Sequence, residues 1–277
     1  MLVKGILKQT AICVPLAILG FFMAFPFLWM VISSLKTPDE IISVPITWIP
    51  KNPQWHNFID IWSAVPMKEM YMNSLFVTIV ITLCILLTSS MGGFALAKYK
   101  FKGREFLFIL ILSTMMIPFF VLLIPLFFII KSMGLSDSYL GLILPNIVTG
   151  FGIFLMRQFT LSIPDEMLQA ARIDGASEWR IYWQIILPLQ KQALAALGIF
   201  AFVYQWDNFL WPLVVINDES LYTLPLGLNT LRNAYSSQEQ MNMLMTGSTL
   251  AVIPSLIVFT LLQRHFVKGI TITGLKG

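Results

Sequence analysis

Apolar residues fall along this chain in six long blocks, at about 11–32, 73–97, 106–130, 139–156, 193–216 and 244–262. A helix rises 1.5 Å per residue and a bilayer core is roughly 30 Å thick, so about 20 apolar residues cross it. None of the blocks shows the ten-residue alternation of a membrane barrel. The pattern therefore predicts an all-α integral membrane protein with six transmembrane helices. All of residues 1–277 are expected to form a single transmembrane domain, with 157–192 as a loop between the fourth and fifth blocks.

Composition agrees with the pattern. Apolar residues make up 57% of the chain, charged residues 12%, and the mean hydropathy is +0.79. Soluble domains carry about twice that share of charge. Lys4 and Lys8 precede the first block as they would in a signal peptide. The block is too long for one, however, and no small-x-small cleavage site follows, so it is expected to be a retained helix. Cys13 and Cys84 both lie inside apolar blocks and are read as small core residues, with no disulfide framework or metal site.

Basic residues orient the spans. With the N-terminus inside the cell, thirteen of the 18 lysines and arginines fall on inside segments, among them Lys98, Lys100, Lys102, Arg104, Arg172 and Arg264. Only Lys36, Lys51, Lys68, Lys131 and Arg232 fall outside. The positive-inside rule then places both termini in the cytoplasm. The sequence pI of about 9.1 reflects that topology, and no aromatic-basic reader motif points to nucleic acid. Two long outside segments, 33–72 and 217–243, hold prolines and, in the first, Trp48, Trp55 and Trp62. Such segments lie at the membrane interface or meet an external partner.

The longest inside segment, 157–192, contains QAARIDGASEWRIYWQIILPL at 169–189, a polar run in an apolar chain. Pro164 suits a first helical position, and Asp165 and Glu166 put negative charge in the first turn. Gly175 after Asp174 is a stop in left-handed conformation, and Ser177 can cap a second helix ending near Pro188. On the first helix Met167, Ala170 and Ala171 are expected on one side, ringed by Asp165, Glu166, Arg172 and Asp174. Paired alanines let a partner come close, so the helix suits a groove with charges at its rim. An amphipathic helix lying on the inner leaflet would be basic; this one is acidic to neutral.

These residues resemble the permease subunits of ABC importers, marked by Glu-Ala-Ala, three residues, Gly, nine residues and Ile-x-Leu-Pro. Ala170, Ala171, Gly175, Ile185, Leu187 and Pro188 match that spacing without a gap. FGIFLMRQF at 151–159, GFALAKYKFKG at 93–103, MGLSDSY at 133–139, WDNFLWPL at 206–213 and FVKGITITGLKG at 266–277 are similar to the sugar-importing branch, specifically the maltose-type second permease. The resemblance covers most of the chain and implies the type I importer permease fold. It further implies that the 157–192 loop carries a coupling helix moved by a cytoplasmic ATPase. Glu166, Gln169, Ala170, Ala171, Asp174, Gly175, Ile185, Leu187 and Pro188 are then the coupling candidates. Gln169 stands where the family has Glu and cannot form its ion pair with the ATPase, so Glu166, one turn earlier, is the candidate substitute.

The implied partners are a homologous second permease, an ATPase dimer that binds ATP and magnesium, an extracellular solute-binding protein, a sugar or oligosaccharide, and membrane lipid. The implied place is a prokaryotic plasma membrane. The residues are consistent with a chain that holds no cofactor and is not itself an enzyme. It has no Gly-x-x-x-x-Gly-Lys-Ser/Thr loop, and His56 and His265 form no ligand pair. An ion-coupled secondary transporter is the alternative; Pro118 and Pro125 interrupt the third block, but no repeated halves accompany them.

Asp207, between Trp206 and Asn208, is the other candidate. An ionised Asp at mid-bilayer costs roughly 2.5–3.5 kcal/mol on insertion scales, so it needs water or a polar partner. One use is a sugar path, with carboxylate and amide accepting hydroxyls and Trp206 stacking on the sugar. The other, favoured because the carboxylate needs a partner throughout the cycle, is hydrogen bonding at the permease interface or within this chain.

Overall fold

The structure, a computed structural model, describes residues 2–234 and 241–273, with side chains for 12–230 and 241–263. Residues 274–277, and with them Lys276, lie outside the described residues; so do the side chains of Lys4, Lys8, Arg232, Arg264, His265 and Lys268. The chain is helical throughout the described residues, in fifteen α-helices with short 3-10 and π turns. Three helices are long and apolar enough to cross a membrane, at Ile12–Ser34, Met67–Lys98 and Met241–Gln263. Three bent pairs bring the total to as many as six if each pair is one span.

The chain divides into two compact units. The first holds residues 1–68 and 227–253. Here α1 (Leu2–Ser34) is followed by α2 (Pro38–Ile42) and α3 (Asn57–Ala64), so the segment 33–72 is partly helical. Thr37 and Glu40 close α2 with a reciprocal capping box. Asn57 ties the segment down: its Nδ2 donates to the Ser34 carbonyl at 2.8 Å, and its Oδ1 accepts from Asn242 at 3.2 Å.

The second unit, residues 69–226 and 254–277, holds the core and the candidate site. Its helices are α4 (Met67–Lys98), α5 (Arg104–Thr114), α6 (Phe119–Ser132), α7 (Tyr139–Ile143) and α8 (Gly150–Leu161). Then come α9 (Asp165–Ile173), α10 (Glu178–Ile181), α11 (Leu187–Leu189), α12 (Lys191–Trp206) and α13 (Leu210–Val215). Finally α14 (Leu224–Ala234) and α15 (Met241–Thr273) pass between the units in sequence. Ile81, Ile85, Met156, Leu197, Trp211 and Val215 are buried in its largest apolar cluster. Helices α4 and α8 cross closely at Gly93, where an added Cβ would sit 2.6 Å from the Arg157 backbone nitrogen.

Three apolar blocks are not the straight spans the pattern predicts. The third breaks between α5 and α6 with a 99° bend, because Pro118 takes the extended N-cap conformation and starts a new helix. The fourth bends by 42° between α7 and α8 after a 3-10 turn at Leu144–Asn146 containing Pro145. The fifth stops at Trp206, passes through 207–209 in non-helical form, and resumes as α13. Periodicity and hydropathy report burial in lipid; they carry no term for these local breaks.

Candidate functional site

Helix α9 stands out as a short polar helix held to the second unit at both ends. At its start, Lys98 Nζ lies 2.6 Å from Asp165 Oδ1 and donates to the Ile163 carbonyl at 2.5 Å. The ammonium's hydrogen bond holds the Asp165 carboxyl below the usual carboxylate range. Pro164 is the residue before the helix, not its first, a shift of one position from expectation. At its end the Gly175 N–H donates to the Arg172 carbonyl at 3.0 Å and Ala176 to the Ala171 carbonyl at 2.9 Å. That is a Schellman cap, and Gly175 makes it at φ +79°.

A clasp then joins α9 to α10. Arg172 donates Nε to Glu178 Oε1 at 2.7 Å and a second nitrogen to Oε2 at 3.2 Å, while the Tyr99 hydroxyl donates to Oε2 at 2.5 Å. Hydrogen bonds from Arg172 and Tyr99 lower the Glu178 carboxyl below its ordinary value. Burial, then the bond to Glu178, pushes the Tyr99 phenol up to about 12. Ser177 caps α10 by accepting from the Arg180 N–H at 3.3 Å.

Both ends being tied, the middle of α9 is left outward. Glu166, Gln169, Ala170, Asp174 and Gly175 are exposed, Met167 is 44% and Ile173 86% exposed. Ile173 is thus a bare aliphatic side chain beside two acids, Glu166 and Asp174, without an ion pair among the described residues. Ala171 corrects the expected face. It is half-buried, packing with Leu168, Ile163 and Ile181 under the helix, so Ala170 alone of the pair faces outward. Ile185 and Leu187 also pack inward against that cluster, where they anchor the segment, while Pro188 is exposed.

Between α10 and α11 the backbone widens into a π turn over Tyr182–Ile186, where the Leu187 N–H reaches back five residues to the Tyr182 carbonyl. Pro188 explains it: the ring lacks an N–H and conflicts with the carbonyl four residues back, at Gln184. The chain then turns by 74° at Gln190 into α12.

At the far end of α12 the three polar candidates separate. Trp206 is 2% exposed and stacked on Phe202 at 5.9 Å, a packing position within this chain. Asn208 is half-buried, its Nδ2 3.4 Å from Gln205 Oε1 and its Oδ1 accepting from the Trp211 N–H at 3.4 Å. Asp207 is exposed and lines a concavity of about 810 Å³ with Tyr204, Phe120, Phe209 and Phe259. Sequence reasoning missed the Tyr99, Lys98 and Gln190 contributions, whose partners lie far away along the chain.

Among the described residues no group of three or more His, Cys, Asp or Glu could hold a metal. What the fold and site define is an all-helical, multi-span membrane protein with one short, exposed helix anchored at both ends. The chain belongs to the family described as binding-protein-dependent transport system inner membrane component, which matches residues 85–272. It is 40% identical over 264 residues to the arabinooligosaccharides transport system permease protein AraQ of Halalkalibacterium halodurans, covering 94% of each chain. It is 35% identical to the lactose transport system permease protein LacG of Rhizobium radiobacter, covering 92% of each. To the sn-glycerol-3-phosphate transport system permease protein UgpE of Yersinia pestis it is 34% identical, covering 93% of this chain and 94% of the other. A crystal structure of a bacterial ABC transporter involved in the import of the acidic polysaccharide alginate contains a chain of the same fold. The TM-score is 0.81, with 22% identity, 95% of this chain and 98% of that one covered.

Proposed function

We propose that this chain is one of two permease subunits of an ATP-driven importer that carries a sugar or oligosaccharide across a prokaryotic plasma membrane. The observation that carries the reading is α9. It is anchored at both ends and bare in the middle, as a lever moved from outside the chain must be. An ATPase dimer, binding ATP and magnesium, covers that face. Glu166 supplies the negative charge that Gln169 lacks, and Ile173 and Met167 fill the groove. Closure of the dimer swings α9, and the motion reaches α12 through the bend at Gln190.

The substrate class rests on relatives named for arabinooligosaccharide and lactose transport at 40% and 35% identity. An extracellular solute-binding protein delivers the sugar, and both termini face the cytoplasm, as the distribution of lysine and arginine supports. A homologous second permease covers the concavity at Asp207, supplying the polar partner that this carboxylate lacks within its own described chain. Lipid covers the remaining apolar faces.

The test is uptake of labelled oligosaccharides into vesicles holding the complex purified through this chain. Uptake should require ATP on the ATPase side and survive collapse of proton and sodium gradients. Uptake driven by an ion gradient without ATP would contradict the reading and favour a secondary transporter.

A further inference from the structure

Four polar side chains lie in the apolar interior around the bend between α11 and α12: Ser90, Thr160 and Gln190 with no exposed surface and Tyr182 at 3%. Their hydrogen bonds run in one direction. Ser90 Oγ donates to Gln190 Oε1 at 2.9 Å, so at the 2.8 Å contact with Tyr182 the phenol is the donor. Gln190 Nε2 donates to Thr160 Oγ1 at 2.5 Å, and Thr160 Oγ1 donates to the Met156 carbonyl at 2.6 Å. Each of the four side chains thus donates once along the chain, from Tyr182 through Ser90 and Gln190 to Thr160.

The placement gives the chain its meaning. Tyr182 opens the π turn, Gln190 is the residue at the 74° bend, and Ser90 and Thr160 belong to α4 and α8 on either side. Backbone bonds flank the bend, from Gln190 N–H to the Ile186 carbonyl on one side and from Leu194 N–H to the Gln190 carbonyl on the other, both at 2.9 Å. The backbone alone therefore tolerates a range of angles. Single π turns inside helices are rare and occur frequently at functional sites.

We propose that Tyr182, Ser90, Gln190 and Thr160 are positioning residues: their directional relay fixes the angle at which α10–α11 meets α12 and so sets how α9 motion is passed on. This rests on the importer reading above. The relay touches neither substrate nor ATPase; it acts through the helices. Hydrogen bonds have discrete partners, so the relay gives the bend defined settings where apolar packing would give a continuum.

The test uses the assembled complex with all four groups replaced by apolar ones of similar shape: Tyr182→Phe, Ser90→Ala, Gln190→Met and Thr160→Val. Replacing every partner leaves no orphaned donor, so assembly should survive. The readout is sugar transported per ATP hydrolysed, which a purely structural role would not move. We expect that ratio to fall about fivefold or more while hydrolysis persists, with Tyr182→Phe alone giving a smaller fall. A wild-type ratio in the fourfold variant would overturn the proposal. So would failure of that variant to assemble, because the groups would then serve cohesion. A wild-type complex without ATP-dependent uptake would instead refute the importer reading and leave its cause elsewhere.

Discussion

Gly175 shows how much one residue can decide in this chain. Its φ of +79° is open to glycine and strained for β-branched residues, and an added Cβ would meet nothing within 4 Å. Gly175→Val therefore acts through the backbone alone, costing about 1–2 kcal/mol at the α9 cap. We expect normal membrane insertion with reduced ATPase stimulation by substrate, measured in the purified complex; unchanged stimulation would remove the cap from the coupling account. Glu178 makes a second, pH-dependent case. Its carboxyl titrates below its ordinary value because Arg172 and Tyr99 bond the charged form. The clasp's contribution is then complete above the ordinary carboxylate range, about pH 4–5, and is lost as pH falls through the lowered value. Glu178→Gln should remove that acid sensitivity in proteolysis of the 165–180 segment, whereas equal sensitivity in both proteins would assign it to other carboxylates.

The elements were legible to different depths. All six apolar blocks hold helix, and the two turns of α9 and α10 follow from Gly175, Ser177 and the acidic first turn. The break at Pro118 was legible as a proline inside the third block; the one after Trp206 was not, because hydropathy averages over a window and a bend depends on single carbonyls finding new partners. Nor was the inward turn of Ala171, which depends on where Leu168 finds its cluster. Lys98 reaches Asp165 of α9 and Tyr99 reaches Glu178 of α10 across more than 60 positions in sequence, beyond any local pattern. Helix α12 carries its own prediction. Asp207 is bare in this chain, so Asp207→Leu should weaken copurification with a second permease, and Asp207→Asn should be milder because it keeps hydrogen-bonding capacity. An intact complex with altered sugar preference would place Asp207 on the translocation path.

At the scale of the molecule, the apolar surface of α1 and the bare faces of α5 and α6 leave much of the chain to be covered by lipid or by another subunit. Sidedness is checked by single cysteines in a background with Cys13 and Cys84 replaced by serine. Labels at Gln54 and Glu219 should react from outside the cell, and labels at Lys102 and Asp174 only after permeabilisation. The reverse pattern at either pair would break the topology and put α9 on the wrong side for an ATPase.

The central claim is that the bare middle of α9 is where force enters. A photo-activated crosslinking residue at Gln169, in the native complex, measures this most directly, since that side chain is exposed on the middle of α9. The account predicts a covalent adduct with the copurifying ATPase, and none from the same residue placed at Phe128 on the apolar surface of α6. An intact complex in which Gln169 crosslinks only to lipid, while Phe128 reaches the ATPase, would contradict it.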